Sequence, residues 1–450
     1  MIIKAKTIIT NDEANNFYED SAILIEGKII KEIGDFEKIK KENPNQEIVD
    51  FSDKLVMPGL ICAHSHCYSA YARGMSVSNP TDNFFHVLEN LWWALDKKLT
   101  LEDVKLNALT TFMESIHNGV TTIIDHHSGP NSIEGSLFTM ADAAKELGIR
   151  ASLCYEVSDR DGLDKRDLGI AENINWIKEA EKHDDMLNAL FGLHASFTLS
   201  DDTLEKCQKA MEDFENGYHV HIAEGIEDEW ETFKMSGKRV VDRLDAYEIF
   251  RPKTLSIHNV HINEREMDIL KARDTMAVFN PQSNMNNAVG APPVLRMLDK
   301  NILLGLGTDA YTNDMFESMR VAKVLLTHES HDPTKGFGEA IKLQFENNPK
   351  IMDRFLKNPV GRIKEGAYAD IIALDYDPMT PLNGNNWMGH ALFGLNGGLV
   401  TDSIINGQIV MKDREIKTID QKEIHEKSRQ RAKEIHEKSR QRAKEIWPKL

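Results

Sequence analysis

The sequence predicts an α/β protein, a (β/α)8 TIM-like barrel carrying a small composite β-sandwich formed by both chain ends. Three observations predict it. Eight short apolar runs recur through the middle of the chain, and most intervals between them carry amphipathic helical patterns. The first 57 residues and those after Asn358 instead read as short strands and turns. Eight βα units within residues 58–357 fit a closed parallel barrel, whose functional groups gather at the C-terminal ends of the strands.

Residues 1–57 offer strands at Ile2-Ile3, Thr7–Thr10, Ser21–Glu26, Lys28–Ile33 and Glu47–Val49, with Gly27 at a tight hairpin turn. The eight runs follow at Gly59–Ala63, Val120–Ile124, Ile149–Cys154, Asn188–Leu193, Tyr218–Ile222, Thr254–Ile257, Met276–Phe279 and Ile302–Leu306. The clearest helix is Thr100–Asn118. Thr100 is placed to cap it, Asp103 follows, Val104, Ala108, Phe112 and Ile116 form a stripe, and Gly119 ends it. Ser200–Phe214 also begins on a capping residue. After Asn358 a turn at Gly366 precedes strands at Asp370–Leu374 and Asp402–Ile409. The expected domains are therefore 1–57 with 358–420 (β domain), 58–357 (barrel) and 421–450 (C-terminal helix).

That last helix contains an uninterrupted duplication: EIHEKSRQRAK at 423–433 recurs at 434–444. Eleven residues are close to three helical turns, so the repeat lengthens the helix while barely rotating its face. Its polarity predicts that it lines no pocket and that deleting 434–444 leaves folding and activity nearly intact.

Composition narrows the function. The chain has 450 residues, 72 acidic against 54 basic, and a net charge of -18. An acidic surface disfavours nucleic acid and anionic membranes as partners. Four scattered cysteines (Cys62, Cys67, Cys154, Cys207) form no CxxC, which argues against a disulfide framework or a thiolate metal site. The opening MIIKAKTIIT is no signal peptide, and no apolar run approaches the ~20 residues of a membrane span. A cytoplasmic, soluble protein acting on a small molecule is expected, assembled as a homo-oligomer (a dimer).

The strand ends carry the chemistry. Run one stops at His64-Ser65-His66, and residues i and i+2 of a strand share a face. Two neutral imidazoles on one face are half of a divalent metal site. Asp125, His126 and His127 follow run two, and His194 ends run four. His221 and Glu224 end run five, His258 ends run six, Asn280 follows run seven and Asp309 follows run eight. His219 faces the same way as His221 but about 7 Å deeper. Nine of the 17 histidines lie at or beside strand ends. Buried, hydrogen-bonded imidazoles remain the plainer reading for His117, His126, His219 and His261. The loop Arg73–Lys97 brings Phe84, Phe85, Trp92 and Trp93, either as a wall for a flat ring or as packing for a lid. Gln282, Asn284, Asn286 and Asn287 are either amide contacts for a heterocycle or turn residues. No basic cluster is dedicated to phosphate, which makes nucleotides poor substrates.

Several stretches match a known family. PGLICAHSH at 58–66, HVHIAE at 219–224, SIHNVH at 256–261 and LGTDA at 306–310 resemble the amidohydrolase superfamily, in its deaminase and chlorohydrolase branch. GRIKEGAYADIIALD at 361–375 is similar to that family's closing β-domain motif. NLWWALDKKLT, FNPQSNMNNAVG and TDAYTNDMFES resemble SsnA-type aminohydrolases. The resemblance implies one divalent metal, Zn2+ with Fe2+ as the alternative, on His64, His66, His221 and Asp309. Glu224 would shuttle protons and His258 would hold or polarise the attacking water, with Asp309 accepting its proton. Binuclear members need a lysine at the end of strand four. Residues 187–200 contain none and offer His194 instead, which implies a single metal and a substrate contact at His194. His126, Trp92, Gln282 and Asn284 complete the expected substrate contacts. The implied reaction is deamination of a cyclic amidine, purine-, pterin-, pyrimidine- or triazine-like. The alternatives are hydrolysis of another ring C–N or C–halogen bond, or a non-catalytic barrel scaffold.

Overall fold

The computed structural model describes residues 1–77 and 79–446, with side chains as far as residue 437. Four strands open the chain: β1 (Ile2–Ile9), β2 (Phe17–Glu26), β3 (Ile29–Asp35) and β4 (Ile48–Pro58). β1 pairs antiparallel with β2 and parallel with β4. β1 is one strand where the sequence reads as two, because Lys4 and Lys6 break the apolar run while the ladder continues past them, with a shift of register at Lys6.

The barrel follows as β5 (Leu60–Ser65), β6 (Val120–His127), β7 (Arg150–Tyr155), β8 (Leu187–Ala189), β9 (Phe191–Ala195), β10 (Tyr218–Ile222), β11 (Leu255–His258), β12 (Met276–Phe279) and β13 (Leu304–Leu306). β8 and β9 flank Leu190 and together form the fourth of eight barrel positions. Two parallel bridges close the ring, Val157 with Leu193 and Ser65 with Asp309. Every residue of β5 and β6 is buried, as expected of parallel strands covered on both faces. The chain then returns to the first sheet with β14 (Ile371–Leu374), β15 (Val400–Ile405), β16 (Gln408–Lys412) and β17 (Glu415–Ile416). Strands from both chain ends thus form one sheet in the order β17-β16-β15-β14-β4-β1-β2-β3.

Two of the joints between sheet and barrel are buried and specific. β4 runs into β5 through Gly59, where a Cβ would meet Thr121 Oγ1 at 2.1 Å, so only glycine allows this approach. The buried Arg150 on β7 grips Asp370, just before β14, through Nε at 3.0 Å and Nη2 at 3.2 Å. No helix of the described residues is long and apolar enough to cross a membrane.

Helix α1 (Leu101–His117) begins with the cap read from the sequence: Thr100 and Asp103 each bond the other's backbone N–H. Asp103 also receives two hydrogen bonds, both 2.9 Å, from Arg431 of the C-terminal helix α2 (Gln421–Ile446). Helix α2 is thus docked on α1, while none of its described residues lines either of the two cavities at the strand ends. Ile435 is buried among Tyr68, Tyr71, Leu95, Leu99 and Leu106, and His436 Nε2 donates to Tyr71 O at 2.7 Å. An amphipathic stripe with eleven-residue spacing (Ile424, Ile435) hides one face in an otherwise polar sequence. The second half of the duplication, beyond residue 437, lies outside the described side chains.

Deleting 434–444 moves Glu445 and Ile446 into the places of Glu434 and Ile435 and substitutes Trp447 for His436. Thermal denaturation should therefore show only the loss of one hydrogen bond, about 0.5–1.5 kcal/mol. Ile435→Asp should undock α2 and cost more than the whole deletion. The reverse order of the two melting temperatures would refute this packing.

Candidate metal centre and active site

The functional groups sit where strands end, on a backbone that departs from ordinary conformations. Ala223 (φ 45°), His258 (φ 71°) and Asp309 (φ 56°) all lie in the left-handed region without being glycine. Such strain costs free energy and clusters at functional sites. Asp309 is held there because its own N–H and that of Thr308 both donate to His64 O at 3.0 Å. The approach requires Gly307, where a Cβ would meet Asn280 Oδ1 at 2.4 Å and His64 Cβ at 2.9 Å.

Three histidines are locked into one tautomer by what lies behind them. His66 Nδ1 donates to His126 O at 2.6 Å, and His221 Nδ1 donates to His194 O at 3.0 Å. A carbonyl only accepts, so each Nδ1 carries the hydrogen and each Nε2 presents a lone pair. His64 Nδ1 meets His219 Nε2 at 2.8 Å, and His219 Nδ1 lies 3.5 Å from Cys154 Sγ, which continues the same polarity. The consequence is a cluster of acceptors. His66 Nε2 and His221 Nε2 stand 3.2 Å apart, and with both rings neutral there is no hydrogen between them. His64 Nε2 is buried without a partner. Asp309 Oδ1 lies 3.2 Å from His66 Nε2 and 3.6 Å from His64 Nε2.

A buried set of nitrogen lone pairs facing a carboxylate is unfavourable unless a cation joins them. Three imidazole nitrogens and one carboxylate oxygen fit a divalent metal of the zinc or iron(II) type. Burial holds His64 down to about 3 and His258 down to about 4, in keeping with neutral imidazoles. At His66 burial also lowers the value, but Asp309 outweighs it and draws the group up to about 9. That nitrogen therefore favours a cation of either kind, proton or metal.

Glu224 and His258 overhang this cluster. Glu224 is pushed up to about 8, first by burial and then by the charge of Asp309. Asn287 Nδ2 donates to its Oε1 at 3.0 Å, and His258 Nε2 lies 3.3 Å from its Oε2. Asn284 Nδ2 donates to His258 Nδ1 at 2.9 Å, so the hydrogen of that imidazole sits on Nε2 and points into the site. Asp309 Oδ2 accepts from Ser283 Oγ at 2.6 Å and lies 3.6 Å from His258 Nε2.

The cavity above these groups measures about 50 Å³ and opens beside a second of about 260 Å³, the two sharing His66, Trp92, Asn286, Asp309, Ala310 and Tyr311. A lid formed by 84–96 covers the smaller one. Its Leu88–Trp92 turn is a π-helix, a form that recurs at functional sites. Trp92 and His194 line the cavity. His126, Gln282 and Asn284 do not, which corrects their expected contact with substrate. His126 lies fully buried under the histidines, its Nε2 donating to Leu193 O and His219 O. Gln282 is turned outward to Ser318, and Asn284 backs His258. The short helix Pro281–Asn286 rotates these amides away and leaves Ser283, Asn286 and Asn287 at the cavity instead. Glu156 also lines the cavity and went unread. It follows the third apolar run by two residues, the same signal that marks the other strand ends.

Fold and site together define a metal-dependent hydrolase built on a barrel. Residues 55–410 match the amidohydrolase family, and the chain belongs to it. A curated relative, 5'-deoxyadenosine deaminase of Methanocaldococcus jannaschii, is 30% identical over 437 residues, covering 94% of this chain and 98% of its own. The 5-methylthioadenosine/S-adenosylhomocysteine deaminase of Thermoanaerobacter pseudethanolicus is 29% identical over 442 residues, covering 96% and 98%. Among solved structures, an adenosine deaminase from Xanthomonas campestris with bound zinc superposes with a TM-score of 0.82 at 20% identity, covering 96% and 98% of the two chains.

Treatment with a chelator should lower the melting temperature, and excess divalent cation should restore it. A ligand at 1,000 times its Kd stabilises by about 4 kcal/mol. An unchanged melting curve on both steps would contradict the metal-binding reading.

Proposed function

We propose that the protein is a mononuclear metal-dependent aminohydrolase that removes an exocyclic amine from a cyclic amidine by attack of water. The observation that carries this is the convergence of three tautomer-locked imidazoles and Asp309 beneath a carboxyl, Glu224, that stays protonated near neutrality. His64, His66, His221 and Asp309 would hold one divalent ion, zinc by the donor set and iron(II) as the alternative. What such an ion supplies is water acidified enough to attack at neutral pH. The curated relatives, named as deaminases of adenosine-type compounds, support a nitrogen heterocycle as the substrate.

The chain's own groups divide the proton work. Asp309 Oδ2, fixed by Ser283, receives the proton that the attacking water loses. His258 presents its Nε2–H towards both Glu224 and Asp309, where it orients that water and the developing oxyanion. Glu224, protonated, donates to the ring nitrogen or the departing amine. A halide leaves without a proton, so a raised carboxyl at this position favours C–N over C–halogen cleavage. Trp92, Trp93 and Tyr68 wall the site with apolar rings and exclude bulk water from it.

Two measurements test this. Elemental analysis of protein purified without chelator should give close to one divalent ion per chain, and a value near two would overturn the mononuclear assignment. Glu224→Gln keeps the shape but cannot donate a proton, so kcat should fall about 10²–10⁴-fold with metal content unchanged. His221→Ala should lose metal and activity together. Metal loss in Glu224→Gln with retention in His221→Ala would reverse the two roles.

A further inference from the structure

The cavity has a second wall that the proton-transfer groups leave unexplained. Glu156 follows β7, is 5% exposed, and lines the same cavity as Glu224 and His258. Its carboxylate meets cations and imidazoles only at long range. His126 Nδ1 is 3.4 Å from Oε2, while Arg160 Nη2 is 3.7 Å and His194 Nε2 3.9 Å from Oε1. Arg160 Nη2 is bonded to Asp96 and, at 2.9 Å, to Ser128 Oγ, with the guanidinium plane over Trp93, while its Nε and Nη1 are buried without a hydrogen-bond partner. A buried carboxylate without short donors is costly unless a ligand brings them.

His194 adds a second acceptor. Thr198 Oγ1 donates its hydrogen to Ala195 O at 3.0 Å, so it can only accept from His194 Nδ1 at 2.8 Å. The hydrogen of His194 is therefore on Nδ1, and Nε2 offers a bare lone pair beside Glu156 Oε1. The two acceptors face one opening and present no donor. Nitrogen and oxygen atoms of Glu156, His194 and His221 lie within 4.8 Å of one another. The wall is thus about one ring from the proposed metal ligands. Whatever it contacts belongs to the reacting ring itself, and a sugar or chain attached to that ring would extend further out.

We propose that Glu156 and His194 Nε2 form an acceptor-only subsite that selects heterocycles carrying a ring N–H donor next to the amine-bearing carbon, as guanine- and pterin-type lactams do. This rests on the aminohydrolase reading and names its substrate class. An adenine-type ring presents a bare ring nitrogen on one side of its amine-bearing carbon and a ring carbon on the other, so it brings no ring N–H there to a carboxylate and a lone pair. A lactam N–H supplies a hydrogen that the two acceptors, 3.9 Å apart, can share. Sites built to accept a hydrogen bond reject analogues lacking the donor by large factors, because the buried acceptor is then left unpaired.

The test compares ring pairs that differ only in that donor, using ammonia release by the metal-loaded enzyme: guanine with 1-methylguanine, pterin with 3-methylpterin, and adenine and cytosine as rings without the lactam N–H there. The expected result is a kcat/KM for at least one parent lactam about 10²-fold or more above its methylated partner and above adenine and cytosine. Glu156→Gln should shrink that ratio to within about 10-fold, mainly by loss on the parent lactam, with metal content unchanged. Adenine or cytosine turned over as well as the lactams overturns the subsite and leaves the aminohydrolase reading standing. Ammonia from none of the rings overturns the subsite, while the aminohydrolase reading, which extends to rings outside this set, is judged by the metal and Glu224→Gln measurements. Loss of metal in Glu156→Gln also overturns the subsite, since Glu156 would then serve the metal rather than the substrate.

Discussion

The site depends on one constraint: the Nδ1 atoms of His64, His66 and His221 are all occupied from behind. Two are tied to main-chain carbonyls and one to His219. With those hydrogens fixed, three Nε2 lone pairs and Asp309 must point at one another. No rotation of a side chain relieves this, because each ring is buried and its far nitrogen is bonded. The fold has to impose that arrangement and to find the free energy for it elsewhere, as preorganised sites commonly do.

The seam of the barrel shows where. β13 has only three residues, and its contact with β5 runs through Ser65 and Asp309, two residues of the site region itself. Asn348 bridges the seam from below. Its Nδ2 donates to Ile61 O and Leu306 O, and its Oδ1 accepts from Leu306 N. The backbone of Asp309 donates to His64 O, so the last barrel strand is closed onto the first through the residues proposed as ligands. A cation joining His64 to Asp309 would therefore also fasten the barrel shut. Stability and activity share one set of atoms here, consistent with metal sites in which binding free energy is also folding free energy.

Much of this could be read from the sequence because strands and histidines coincide. Each apolar run became a barrel strand, and residues at the ends of those runs converge because parallel strands all point their C-termini one way. What escaped depends on short-range geometry with no periodic signal. Gln282 and Asn284 are turned from the cavity by a six-residue helix whose phase the sequence does not display. Glu156 was hidden by the one residue, Tyr155, between it and the end of the apolar run at Cys154, although strand β7 ends at Tyr155 immediately before it. The packing of α2 escaped for a different reason. Its buried face consists of one isoleucine per eleven residues and a few small or basic side chains, and it becomes apolar only against Tyr71 and Leu106.

The central claim is that three imidazole nitrogens and one carboxylate oxygen hold a single divalent ion. X-ray absorption at the metal edge of the purified, fully loaded protein tests it most directly. The account predicts a first shell of nitrogen and oxygen at about 2.0–2.2 Å with multiple scattering from three imidazoles. It also predicts no second metal at the ~3.5–4 Å of two-metal sites. A sulfur shell near ~2.3 Å, a metal–metal vector, or fewer than three imidazoles would contradict it.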